Sequence, residues 1–281
     1  MKPEEIRPLQ LTELILLNEV DRICKELNIH YYLIGGTLLG AVRHGGFIPW
    51  DFDIDIAMIR EDYEALKAYF AAKEDDTFFY QDYSTEKNHA VCHAIIRLKN
   101  TAVKLKNDEK ERYHLQENGI YLDVFPLDYA PNDPRKQQKQ QKRIRFWSAM
   151  LQAKKCRDYG AGAFRFFLKR VLSVFLLPVS FRSLQKIDSR EMQRYNNGER
   201  QYLVSMASHY SYKKQLMPVA FYGQPQEMLF EGKAYYAPAM PHEYLTQLYR
   251  DYMKIPPENE RYFEINSLES VDYGKYYSPE E

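Results

Sequence analysis

Residues 34–55 read IGGTLLGAVRHGGFIPWDFDID: a double glycine opens a short helical stretch, and an Asp-Ile-Asp triplet follows in an apolar run. In a β-strand successive side chains alternate faces, so Asp53 and Asp55 project together while Ile54 and Ile56 face the other way. Their Cα atoms are then roughly 6.7 Å apart, and two bare carboxylates about 6 Å apart repel by roughly 3 kcal/mol at an effective dielectric of about 20. A divalent cation removes that penalty. A third acid, Asp123, sits in GIYLDVFPLD among Leu122, Val124 and Phe125, where an unpaired carboxylate is expensive to bury. If the two strands are neighbours, Asp53, Asp55 and Asp123 form an oxygen-rich cluster of the kind that Mg²⁺ or Mn²⁺ prefers.

The stretch before the acids supplies the complementary half of a phosphate site. Gly35 and Gly36 allow close backbone approach, and Thr37 begins a helix running through Val42 whose free N–H groups face an incoming phosphate. Arg43, between the glycines and the acids, and Arg97, the polar residue of IIRLKNT, carry guanidinium forks that match pyrophosphate oxygens. Trp50 and Asp51 complete the expected substrate-binding set. The 24 tyrosines offer flat apolar faces with a hydroxyl edge, suited to sugars, nucleobases or quaternary ammonium groups, and Trp50 and Phe52 are further candidates for such a cage. No Gly-x-Ser-x-Gly elbow points to a serine nucleophile.

Gly35-Gly36, Asp53-Ile54-Asp55 and the later Asp123 together resemble the nucleotidyltransferase superfamily pattern. More narrowly, GGTLLGAVRHGGFIPWDFDIDIAM, IIRLKNT at 95–101, IYLDVFPLD at 120–128 and YRDYMKIPP at 249–257 resemble the LicD family, in the family's order and along nearly the whole chain. Fukutin-related protein is a more distant likeness. The resemblance implies an α+β fold with a nucleotidyltransferase-like mixed β-sheet core flanked by helices. It also implies a transferase that passes phosphocholine, or a related phospho-alcohol, from CDP-choline or another CDP-alcohol to a sugar hydroxyl of a cell-surface glycan. Catalysis and metal binding fall to Asp53, Asp55 and Asp123 with one or two Mg²⁺ or Mn²⁺ ions, and donor binding to Gly35, Gly36, Thr37, Arg43, Trp50, Asp51 and Arg97. Asp123, with Asp51 as second candidate, assists deprotonation of the acceptor. Transfer of an NMP to a small-molecule or protein hydroxyl is the alternative reading. The chain departs from the family at Phe52, where Asp is usual, at Arg250, where Gly is usual, and after 257, where a His is replaced by Arg261, Tyr262 and Phe263.

Composition bounds the rest. With 281 residues and 45% hydrophobic content the chain can bury a substantial core. Cys24, Cys92 and Cys156 are widely spaced and odd in number, which favours a reducing compartment over a disulfide scaffold. MKPEEIRPLQ lacks the design of a secretory signal and no apolar run reaches a membrane-spanning length, so the expected location is cytoplasmic. The net charge of zero hides an asymmetry: Arg135–Arg170 holds twelve Lys or Arg against one acid. Its second part, with Arg165, Lys169 and Arg170 beside an apolar remainder, could lie in a membrane interface, and residues 135–180 are the candidate for peripheral contact at the inner face of the cell membrane, near a lipid-linked acceptor. No nucleic-acid motif accompanies the basic stretch.

The chain divides into a catalytic core over 1–130, a basic helical segment over 131–200 and a C-terminal α/β part over 201–281 that completes the pocket. Helical spacing predicts a helix over 10–28 and another over 60–72. Strands are expected at 31–34, about 51–58, 78–82, 91–98 and 119–126, and a late helix at 241–253.

Overall fold

A computed structural model describes residues 6–106, 115–155, 170–258, 261 and 265–277. Helix α1 (Arg7–Leu27) forms because Leu9, Leu16, Leu17, Val20 and Ile23 make one buried stripe, with Pro8 in the first turn. It ends where Asn28 turns left-handed (φ 53°) and its N–H returns to the Cys24 and Lys25 carbonyls. Strand β1 (Tyr32–Leu33) leads into helix α2 (Gly35–His44), and strand β2 (Asp55–Ile59) into helix α3 (Arg60–Ala72). Glu61 and Asp62 in the first turn of α3 suit the positive end of its dipole.

The central sheet gathers β3 (Phe78–Gln81), β4 (Ala94–Leu98) and β6 (Tyr121–Ala130) in the order β1-β2-β6-β4-β3. Among the described residues only β2 and β6 pair in parallel; β1–β2, β4–β6 and β3–β4 are antiparallel, so the sheet is mixed and the fold is α+β. From Val124 onward β6 is buried at every residue, as expected of a central strand covered on both faces. Its far end pairs with β7 (Tyr202–Val204), which pairs with β8 (Met217–Pro218), so the sheet draws strands from both sides of the basic segment. Two small sheets flank it: β5 (Ala102–Leu105) with β11 (Leu268–Asp272), and the hairpin of β9 (Gln226–Phe230) and β10 (Lys233–Ala237).

One buried ion pair ties the layers together. Arg60 at the start of α3 donates from Nε and Nη2 to both oxygens of Asp128 on β6, at 2.9 and 2.6 Å, and Asn196 Nδ2 donates to Asp128 Oδ1 at 2.7 Å. Both charges lie in the interior and satisfy each other bidentately.

Three expectations shift. The acid-bearing strand runs over 55–59 and not 51–58, because the chain after Pro49 is held in a turn: the Asp51 N–H donates to the Ile48 carbonyl at 3.0 Å and Gln10 Nε2 donates to the Asp51 carbonyl at 2.7 Å. The late helix is Pro241–Tyr249, stopped by Arg250 at φ 64° and ψ −108°, a conformation that favours glycine. The small sheet of β5 and β11 lies outside the expected strands. In the basic region, helix α4 (Pro134–Lys155) packs on the helix Phe181–Met192. Arg165, Lys169 and Cys156 lie outside the described residues. Among the described residues, no helix is long and apolar enough to cross a membrane.

Candidate active site

The turn from β1 into α2 is built around two carboxylates. Ile34 is extended and Gly35 left-handed (φ 55°), and the Ile34 N–H donates to the Asp55 carbonyl at 3.1 Å. Thr37 Oγ1 accepts the Asp55 N–H at 2.8 Å. A Cβ on Gly35 would stand 2.9 Å from Asp55 Oδ2, and one on Gly36 would run into Asp51 Oδ2. The glycines therefore make room for the acids as well as for an incoming ligand. The Gly35 N–H also points to the hydroxyl of Tyr244, 3.4 Å away on the C-terminal helix.

The parallel register places Asp55 directly beside Asp123, so their side chains leave the sheet on the same face, on backbones about 4.8 Å apart. The Asp123 N–H donates to the Ile54 carbonyl at 2.9 Å, which fixes this alignment. Asp53 precedes the strand by two residues and is half-buried. Among the described residues, no group of three or more His, Cys, Asp or Glu side chains stands at a spacing that could hold a metal ion. The structure thus brings Asp55 and Asp123 together as neighbours, with Asp53 next along the chain, without closing a three-acid shell.

Two buried groups bear on whether a hard cation fits. Asp123 Oδ1 is shielded from solvent and accepts no hydrogen bond, with His93 Nε2 3.3 Å away. Glu13, from α1, is fully buried and neither of its oxygens has a hydrogen-bond partner. Burial pushes its carboxyl well above the usual range, and Asp53, Asp123 and Asp55 push it further. Carboxylate oxygens are the donor type that Mg²⁺ or Mn²⁺ takes, although the described side chains form no group at metal-holding spacing. Tyr121, two residues before Asp123, has its phenol raised by burial and then by Asp123, Asp53 and Glu13.

The remaining expected residues divide between two hollows. Gly36, Arg43, Trp50 and Asp51 line a cleft of about 440 Å³, which Tyr252 and Arg261 enter from the C-terminal part. Arg43 Nη1 donates to the Tyr252 carbonyl at 2.9 Å, and the Arg261 guanidinium lies 5.0 Å from the Trp50 ring centre. Arg43 is lowered by burial and by Arg261, partly offset by Tyr249, while His44 is lowered by burial and by Arg43. Arg97 does not join this cleft. It is buried, with Nε donating to Gln81 Oε1 and Nη1 to the Gly119 carbonyl, both at 2.8 Å, and it lines a second hollow of about 350 Å³ with Asp123 and Tyr121. Phe52, a candidate for an aromatic cage, is instead 6% exposed and packed in the core.

Glu13 and His93 escape the sequence reading, although each left a signal. Glu13 stands four residues after Leu9 and four before Leu17, a carboxylate inside the buried stripe of an amphipathic helix. His93 shares parity with Ile95 and Arg97, and stands four residues after His89. Burial lowers His89 to about 4, and its Nε2 lies 2.8 Å from the His93 carbonyl.

Comparison with known proteins points to one family. Over 271 residues the chain is 28% identical to a protein from Haemophilus influenzae named lipopolysaccharide cholinephosphotransferase LicD, covering 93% of this chain and 96% of that one. A 40-residue segment is 48% identical to human ribitol 5-phosphate transferase FKRP, 14% of this chain and 8% of that one. A family described as LicD/FKTN/FKRP, nucleotidyltransferase domain, matches residues 28–152, a span that holds both glycines, all three aspartates, Arg43 and Arg97; residues 28–152 are therefore a LicD-family domain.

Proposed function

We propose that this chain transfers phosphocholine, or a related phospho-alcohol, from a CDP-activated donor to a sugar hydroxyl of a cell-surface glycan and releases CMP. The observation that carries the reading is the in-register pair Asp55 and Asp123 beside the Gly35-Gly36 turn. The similarity to a lipopolysaccharide cholinephosphotransferase along 93% of the chain supports the choice of cargo and acceptor. The catalytic core is a nucleotidyltransferase-like unit within residues 1–130, and the part after 200 completes its pocket with Tyr252 and Arg261.

An Mg²⁺ or Mn²⁺ ion held by Asp53, Asp55 and Asp123 would supply positive charge against the pyrophosphate and the departing CMP. The chain's own groups do the rest. The first N–H groups of α2, at Gly36 and Thr37, face the phosphates at the positive end of the helix dipole. Arg43 and Arg261 bring two guanidinium groups into the cleft beside Trp50, whose ring offers a stacking face. The acceptor oxygen forms a bond to the distal phosphorus while the bond from that phosphorus to the CMP oxygen breaks, and the hydroxyl proton passes to Asp123. The exposed Val174, Phe175 and Leu177, close in sequence to Arg170 and Arg182, support peripheral contact with a membrane that carries the acceptor; flotation with anionic vesicles tests it.

The direct experiment incubates the protein with CDP-choline, CDP-ribitol or CDP-glycerol plus Mg²⁺ and measures CMP. Asp55→Asn and Asp123→Asn are expected to remove nearly all turnover while leaving the circular dichroism spectrum and melting curve intact. Release of pyrophosphate from a nucleoside triphosphate, with no CMP from any of the three donors, would establish NMP transfer instead.

A further inference from the structure

Two hollows flank the acid-bearing strands, and they share no lining residue. The Trp50 cleft holds Gly36 and Asp51. The other, on the β4 side of the sheet, holds Asp123, Tyr121, Arg97, His93 and Leu115. In-line phosphoryl transfer places the entering and leaving oxygens on opposite sides of phosphorus, so the pocket that receives the departing nucleotide cannot also deliver the nucleophile.

We propose that the cavity beyond Asp123 is a separate acceptor subsite that takes a polyhydroxylated sugar; the assignment rests on the phosphoryl-transfer reading above. Its volume, about 350 Å³, lies within the range of ligand pockets. Asp123 and His93 line it, and each also carries a buried polar atom with no hydrogen bond, Asp123 Oδ1 and His93 Nδ1. A sugar hydroxyl, which both donates and accepts, suits a wall built of carboxylate and imidazole side chains. The His93 ring is held against Phe125, with centroids 4.3 Å apart, and Nε2 of the same ring lies 3.3 Å from Asp123 Oδ1. Arg97 is pinned by Gln81 and Gly119, with its guanidinium 5.3 Å from the Tyr121 ring centre, so the floor of the cavity is rigid. Val103 and Leu105 add aliphatic surface for the carbon face of a pyranose. A sugar seated there presents its hydroxyl on the Asp123 side of the phosphorus, while CMP departs toward Trp50.

The test uses saturation-transfer NMR on the full chain with chelator present, so that binding is read without turnover. The probes are methyl β-D-glucopyranoside, methyl β-D-galactopyranoside and methyl N-acetyl-β-D-galactosaminide, each with and without saturating CDP-choline. At least one glycoside is expected to bind with CDP-choline in place. Leu115→Trp and Leu105→Trp, which fill the cavity from two elements, should weaken it by at least about tenfold while CDP-choline affinity stays within about twofold. Arg261→Ala should do the reverse. Displacement of the glycoside by CDP-choline, insensitivity to both tryptophans in variants that melt like wild type, or no glycoside binding at all would overturn the assignment. The two readings fail separately. CMP release with an acceptor KM untouched by either tryptophan removes the subsite alone, whereas glycoside binding through the cavity without CMP release from any CDP donor removes the donor reading alone.

Discussion

Replacing Gly35 by alanine separates what the glycine does for the backbone from what it does for Asp55. At φ 55° any other L-residue costs about 1–2 kcal/mol. The new Cβ would also stand 2.9 Å from Asp55 Oδ2, where ordinary contact begins at 3.4 Å, so the carboxylate must retreat by several tenths of an ångström. Catalytic groups tolerate displacements of about 0.5 Å, and a misplacement of about 1 Å costs roughly a hundredfold, so kcat for CMP release should fall by about 10- to 100-fold. The melting temperature should fall by only a few degrees, at roughly 2–4 °C per kcal/mol. Gly45 is the internal control: it too is left-handed, at φ 71°, yet a Cβ there meets nothing within 4 Å. Gly45→Ala should lose similar stability and keep its kcat. The assay is CMP release from CDP-choline under saturating donor and Mg²⁺, alongside a thermal melt of each variant. A Gly35→Ala enzyme with wild-type kcat, or a Gly45→Ala enzyme as impaired as Gly35→Ala, would refute the claim that this glycine exists to seat the carboxylate.

Four further outcomes are expected. Arg60→Ala leaves Asp128 buried with only Asn196 donating from a side chain, and should lose about 3–5 kcal/mol in urea denaturation; a loss below about 1 kcal/mol would contradict the buried-pair account. Asp188 is pushed by burial to about 6 from an ordinary 3.8, so the native state holds an extra proton between those values and stability falls as pH rises through that window. Asp188→Asn, which can still accept the Cys92 thiol hydrogen, should therefore melt higher than wild type at pH 7.5, by up to about 3 kcal/mol, and equal it near about pH 4. Glu13→Leu replaces a buried carboxyl that lacks hydrogen bonds, and in chelator at pH 8 should stabilise the protein by about 1–3 kcal/mol as judged by thermal melts. Arg250→Gly relieves a positive φ and should raise stability by about 1 kcal/mol; an unchanged or lower melting temperature would show that the Arg250 conformation carries no strain.

Where the sequence was readable, it was readable through periodicity and punctuation. The buried stripe of α1, the α3 helix and the apolar run around Asp123 each have a local signature that tertiary packing confirms. The start of β2 was not readable, because the same alternation over residues 51–55 is compatible with a strand or with the extended turn that Gln10 holds from a distant helix. Arg97 was expected among the phosphate contacts because its charge is visible in sequence; the carbonyl and amide that hold it in the other cavity come from residues 119 and 81. Arg250 is the opposite case: nothing local in the sequence announces that its backbone takes a positive φ, the conformation glycine favours. Glu13 is hard to read from sequence because a carboxylate in a helix looks like a solvated face until Asp53, Asp55 and Asp123 are seen to lie near enough to raise it.

The alignment that joins Asp55 to Asp123 is enforced by the core and not by the acids, whose mutual repulsion opposes it. Along β6, Leu122 and Val124 are fully buried on the face opposite Asp123, and along the partner segment Ile54 and Ile56 are fully buried opposite Asp55. A slip of β6 by one residue would turn Asp123 into that core and move an apolar side chain to its partly exposed position, at up to about 1.5–3 kcal/mol for that side chain and more for the buried charge. Even two carboxylates that repel by roughly 3–4 kcal/mol at an effective dielectric of about 20 cannot force the slip. The same Leu and Val pattern that makes β6 a central strand therefore keeps Asp55 and Asp123 side by side whatever the charges prefer.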